Sequence, residues 1–182
     1  MAMSDTEGRL RANVETMTLA EAFETAIEFE RQGRAYYRAS AARVKNEVIA
    51  AVLYSLARDE ELHESLIRRF YEALQKTAGW PDVSADLPPS QPARQRIEAI
   101  VAQTAGTLSQ DPGYLEVYEH ARDLEAASRD FYRDLSEKAQ DREVLKFLRF
   151  LAGMEQTHLE MLGLLLAATR EESEDRAQGS RP

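Results

Sequence analysis

The chain has 182 residues, 43% apolar and 30% charged, which is enough to bury one core. Acidic residues (32) outnumber basic ones (23) for a formal net charge of −9, so no basic excess exists to neutralise nucleic-acid phosphates or an anionic membrane surface. There is no cysteine, which excludes disulfides, thiol catalysis and cysteine-ligated iron or zinc made by this chain.

Residues 1–17 form an N-terminal segment that is not expected to enter the core, and they contain no apolar stretch of signal-peptide type. A first helix is predicted over residues 19–44, with Thr18 and Glu21 spaced as a capping box. A second runs over 47–78 and stops before Gly79-Trp80-Pro81. The connection that follows carries Pro88, Pro89 and Pro92 and is too long for a tight turn, so it reads as a crossover. Residues 93–108 read as a shorter extra helix. Asp111-Pro112 reads as the cap and first residue of a third long helix reaching about residue 138. Asp141 is expected to cap a fourth, ending near residue 172, with 173–182 a polar, disordered tail. Residues 18–172 thus form one domain. Glycine (8) and proline (6) are sparse and strand-like alternation is hard to find, so the fold class is all-α. No run approaches the ~20 apolar residues of a membrane span, and a cytoplasmic protein without membrane or nucleic-acid partners is the expectation.

Each helix carries an inward seam in alternating steps of four and three. The seams read Leu19, Phe23, Ala26, Glu30, Gly33, Tyr37, then Ile49, Leu53, Leu56, Glu60, His63, Ile67, Phe70, Leu74. They continue Tyr114, Tyr118, Ala121, Glu125, Ser128, Tyr132, Leu135, and Val144, Leu148, Leu151, Glu155, His158, Leu162, Leu165. Sliding the chain by 95 residues (125 − 30) superposes Glu30 on Glu125, Tyr37 on Tyr132, Glu60 on Glu155 and His63 on His158. Residues 19–74 share 13 identities in 56 positions with 114–169, and these include every glutamate and histidine of the seams, so the chain reads as a duplicated helix pair.

Four carboxylates and two imidazoles are therefore placed inside a bundle. A buried, uncompensated carboxylate costs several kcal/mol, and no seam lysine or arginine is present to neutralise these. Two divalent cations would balance four negative charges, with the imidazoles completing an oxygen–nitrogen ligand set suited to iron or manganese. Glu-x-x-His directs both side chains from one helix face, and two copies, each 30 residues after a seam glutamate, converge on one dinuclear site. Glu28, Glu61, Asp123 and His120 lie off the seam and are expected to face water.

Ala26-Ile27-Glu28-Phe29-Glu30 with Tyr36-Tyr37, and Leu56-Ala57-Arg58-Asp59-Glu60-Glu61-Leu62-His63, resemble the two helix motifs of rubrerythrin-like members of the ferritin-like diiron-carboxylate superfamily. The second half repeats both, through Leu124-Glu125, Phe131-Tyr132, Leu151-Ala152, Glu155 and His158. The resemblance implies a ferritin-like four-helix bundle of two repeated helix pairs with a long crossover connection. It implies terminal metal ligands at Glu30 and Glu125, bridging ligands at Glu60 and Glu155, and one histidine, His63 or His158, on each of two iron ions. It implies that Tyr37 and Tyr132 support the ligands, the other reading being two core aromatics with a hydrogen bond each. It implies that Asp59 orients His158, the alternative being a solvated carboxylate. Met154 stands where the second half would carry the matching aspartate.

Two departures bear on activity. Peroxide-reducing rubrerythrins commonly have a glutamate three residues after the third-helix ligand, and this chain has Ser128. Their cysteine-ligated electron-transfer domain has no counterpart here. The reading is a diiron oxidoreductase that binds two Fe(II) and oxidises them with hydrogen peroxide or dioxygen, as a peroxidase or ferroxidase. The alternatives are iron binding for storage or sensing, a structural metal, and manganese or a mixed pair in place of iron. The partners expected are the oxidant, Fe(II), a separate electron-donor protein and a second copy in a homodimer.

Overall fold

The computed structural model describes residues 17–76, 102 and 113–179. The predicted helix over 93–108, the Asp111-Pro112 cap and the proline-rich connection lie outside the described residues, Ala102 excepted. Four helices carry the fold: α1 (Leu19–Ala41), α2 (Glu47–Lys76), α3 (Gly113–Lys138) and α4 (Arg142–Gly179). No strand occurs among the described residues, and the chain forms the expected all-α four-helix bundle.

The caps are local chemistry. Thr18 and Glu21 close the capping box: the Glu21 N–H donates to Thr18 Oγ1 (3.3 Å) and the Thr18 N–H to the Glu21 carboxylate (2.8 Å). Asp141 Oδ1 accepts from the Glu143 and Val144 N–H groups, as expected for the start of α4. Asn46 Oδ1 accepts from the Val48 and Ile49 N–H groups and caps α2. This explains why α1 ends at Ala41 and not at the predicted residue 44. The Arg43 and Val44 N–H groups close a turn on the Ser40 carbonyl that brings the chain to the Asn46 cap.

Three further expectations need correction. The tail expected to be disordered from residue 173 continues α4 to Gly179. Polarity removed it from the core, but it did not stop the helix: no glycine or proline falls between Gly163 and Gly179, and Ser173 bonds back to the Thr169 carbonyl. Met17, assigned to the non-core N-terminal segment, packs against core residues. Leu19 opens the predicted seam yet is 45% exposed, so the buried face of α1 begins at Ala22 and Phe23.

The core comes in two apolar clusters. One joins Phe23, Ile67, Phe70, Tyr132, Phe147 and Leu151, with Phe70 and Phe147 stacked at 4.2 Å. The other joins Tyr37, Leu53, Leu56, Tyr118, Leu162 and Leu165. On every helix the candidate ligands fall between the two clusters. The shared neighbours also set direction: α1 and α4 start in the first cluster, α2 and α3 in the second. Thus α2 ends at the end of the bundle opposite to the one where α3 begins, as a crossover requires. The most closely packed pairs are α1 with α2 and α3 with α4, and α1 also meets α3. No helix among the described residues is long and apolar enough to cross a membrane.

Candidate metal centre

The layer between the two clusters holds all six predicted ligands. Glu30, Glu60, His63, Glu125, Glu155 and His158 are each no more than 2% exposed. They form two overlapping groups, Glu30, Glu60, His63 and Glu155, and Glu60, Glu125, Glu155 and His158. Within each group one candidate ligand atom per residue lies within 4.8 Å of the others. Glu60 and Glu155 belong to both.

Both imidazoles turn Nδ1 inward. His63 Nδ1 lies 3.0 Å from Glu60 Oε2 and 3.3 Å from both Glu30 and Glu155. His158 Nδ1 lies 3.3–3.6 Å from Glu60, Glu125 and Glu155. The repeat pairs the halves crosswise: the Tyr37 hydroxyl donates to Glu125 and the Tyr132 hydroxyl to Glu30. Each half therefore steadies a buried carboxylate of the other.

Asp59 and Met154 break the symmetry. Asp59 Oδ2 lies 3.6 Å from His158 Nε2, on the side predicted, while its side chain stays 43% exposed. His63 Nε2 is buried without a hydrogen-bond partner. Glu28, Glu61, Asp123 and His120 are exposed, as expected of off-seam positions.

The electrostatics follow from burial and crowding. Burial, then the neighbouring Glu155, pushes the Glu30 carboxyl well above the usual carboxylate range. Burial, then Glu60, does the same to Glu125. Burial also opposes charge on Glu60, but His158 and His63 outweigh it and hold that carboxylate well below the range. Burial and Glu60 oppose charge on Glu155, yet contacts with Glu125, His158 and His63 hold it at about 2. Both histidines are pushed up: burial works against the charged ring, and the surrounding carboxylates prevail. Burial, then Glu125 for Tyr37 and Glu30 for Tyr132, drives both phenols up, so each hydroxyl keeps the proton it donates.

Two residues near the site, Glu64 and Gly33, carry no functional signal in the sequence, and Ser128 stands out there only as a departure from the family's pattern. Glu64 is buried and accepts from Arg31, Arg34 and Arg68, tying α1 to α2. Its one sequence signal is the i,i+4 spacing to Arg68; its counterpart in the repeat is Leu159, so the duplication hides it. Gly33 lies against Glu60, where an added Cβ would stand 3.4 Å from the Glu60 Cγ. Ser128, its counterpart in the repeat, turns its hydroxyl to the carbonyls of Leu124 and Glu125. An apolar cavity of about 360 Å³ opens beside Tyr132 at the end of the bundle where α1 begins, and none of the six candidate ligands lines it.

A family model described as Rubrerythrin matches residues 21–166. No curated protein and no solved structure gives a significant match.

Proposed function

The chain belongs to the rubrerythrin family, of the ferritin-like diiron-carboxylate superfamily, and from that premise we propose that it is a non-haem diiron oxidoreductase acting on hydrogen peroxide or dioxygen. The observation that carries this reading is a set of stranded atoms. Glu60 Oε2, Glu155 Oε1 and both ring nitrogens of His63 are buried without a hydrogen-bond partner. Several of them approach one another to 3.0–3.3 Å without hydrogen-bond alignment. Leaving such groups unsatisfied costs about 1–3 kcal/mol each, more when charged. Hard oxygen and imidazole nitrogen donors fit a pair of iron ions, and manganese fits the same set.

In this proposal Glu30, Glu60, Glu125 and Glu155 would hold the pair of ions through their carboxylates, and His63 and His158 would offer Nδ1. When bound, the iron pair supplies Lewis acidity and redox electrons. The protein supplies position. Tyr132 and Tyr37 fix the terminal carboxylates, Asp59 orients the His158 ring, and the apolar clusters on either side keep bulk water out. Fe(II) is then either the resident cofactor of a peroxidase or the substrate of a ferroxidase. A separate electron-donor protein and a second copy of the chain are the partners this reading assigns.

Ser128, in place of an additional acid, supports a second reading: iron binding for storage or sensing without turnover. Anaerobic loading with Fe(II) followed by metal analysis tests the site. Two irons per chain are expected, with loss of at least one in Glu60→Ala or His158→Ala; full iron in those variants overturns the ligand set. Stopped-flow mixing with peroxide and with dioxygen then separates the readings. Repeated rapid turnover marks the oxidoreductase, and a slow single oxidation marks binding alone.

A further inference from the structure

Between α1 and α3 a narrow recess leads inward from the protein surface. Its outer edge is the exposed Gln32, flanked by the half-buried Phe29 and Leu124. Its floor is formed by Glu30, Glu60 and Glu125, and Glu60 carries a buried oxygen with no hydrogen-bond partner. The throat is Gly33 on one helix and Ser128 on the other, the same position in the two halves of the repeat. The free space is about 10 Å³, at the lower limit for a single water.

Both throat residues are small in ways that matter. Glycine is among the poorest helix formers, yet Gly33 sits well inside α1. The space its missing side chain leaves is next to Glu60: a Cβ there would lie 3.4 Å from Cγ and 3.6 Å from Oε1. That is ordinary van der Waals contact, so alanine fits without moving backbone but closes the gap over the carboxylate. Ser128 lines the recess with its hydroxyl committed to hydrogen bonds with its own helix backbone.

We propose that this recess is the entrance by which the oxidant reaches the metal centre, and that Gly33 and Ser128 limit it to molecules the size of hydrogen peroxide or dioxygen. The inference rests on the diiron reading above and adds the path and the size class of the substrate. Alkyl hydroperoxides add a carbon skeleton that exceeds by far the one-water space of this recess.

The test uses Fe(III)-loaded full-length protein and azide, a small anion whose binding is followed by stopped-flow absorbance and needs no turnover. Gly33→Ala and Ser128→Val are expected to keep two irons per chain and an undiminished unfolding midpoint, and to slow azide association at least tenfold. Gly153→Ala is the control, because an added Cβ there meets nothing within 4 Å; it is expected to match the parent protein. In the parent, tert-butyl hydroperoxide is expected to react at least 100-fold more slowly than hydrogen peroxide. If the variants hold two irons and azide enters them at the parent rate, the entrance lies elsewhere and the proposal fails while the metal centre stands. Equal rates with the two peroxides would overturn the size limit. If the parent takes up no metal, the diiron reading falls and the entrance falls with it.

Discussion

At the scale of single residues, the two halves of the site are built alike and then made unequal by one side chain. Asp59 Oδ2 stands 3.6 Å from His158 Nε2, whereas His63 Nε2 is buried without a partner and Met154 fills the position related to Asp59. A carboxylate behind a ligating imidazole fixes its tautomer and raises its basicity, and losing it costs about 10–100-fold in metal affinity. Asp59→Asn is therefore expected to weaken one of two metal sites by that factor and leave the other intact. Calorimetric titration with Co(II) would show two classes of site in the parent moving closer together in the variant; a uniform loss at both would count against the assignment. The tyrosines make a second expectation. Tyr37→Phe removes the donor to the buried Glu125 with little change of shape, so the metal-free protein should lose about 1–3 kcal/mol in urea unfolding. Tyr132→Phe should do the same through Glu30. The six converging residues were legible in the sequence because helical spacing and the 95-residue offset mark them twice. Asp59 was legible only through family resemblance. Gly33 gave no sign of its proximity to Glu60, since a seam glycine carries no chemistry until the facing helix is in place.

Among the helices, α1 and α2 share a buried polar tie, whereas α3 and α4 are joined by exposed ones, Arg170 with Glu119 (2.6 Å) and Arg129 with Gln156 (3.1 Å). Glu64 accepts from Arg31 (3.1 Å), Arg34 (2.9 Å) and Arg68 (2.7 Å), and those arginines hold its carboxylate below the usual range against the opposing effect of burial. Removing a carboxylate that receives several charged donors typically costs about 1–3 kcal/mol. Glu64→Ala is expected to lower stability by that amount, seen as a lower urea midpoint with an unchanged slope. Glu61→Ala, which breaks only the exposed pair with Arg38, should fall within about 0.5 kcal/mol of the parent. Equal losses would mean that the buried tie contributes no more than the exposed one. Helix starts were readable because side chains signal them: Thr18 and Asp141 sit where the structure uses them. Ends were less readable. The end of α1 depends on the Asn46 cap of the next helix, and α4 continues through a polar run in which glutamate, arginine, alanine and glutamine favour a helix.

The molecule as a whole places its most expensive groups at the middle of its length, and without metal it balances them with protons. Two raised imidazoles face two depressed carboxylates, Glu60 and Glu155, while Glu30 and Glu125 favour their neutral forms. The consequence for stability has a definite sign. A group whose pKa is raised on folding stabilises the fold at low pH and loses that contribution as pH rises above its unfolded value. For Glu30 and Glu125 the loss begins above about 4.5, and for His63 and His158 above about 6.5. The depressed Glu60 and Glu155 act oppositely and only below about 4.5. Metal-free protein should therefore be most stable in the mildly acidic range and weaken toward alkaline pH, by about 1.4 kcal/mol per pH unit for each excess proton held by the native state. Metal binding runs the other way. Each ion needs ionised carboxylates and neutral imidazoles, so loading expels these protons and apparent affinity climbs with pH. Denaturation curves of chelator-treated and Co(II)-loaded protein between pH 5 and 8 should thus diverge steadily, and loading in weak buffer should acidify the solution. Parallel curves, or loading with no proton release, would mean that the six groups do not exchange protons for metal.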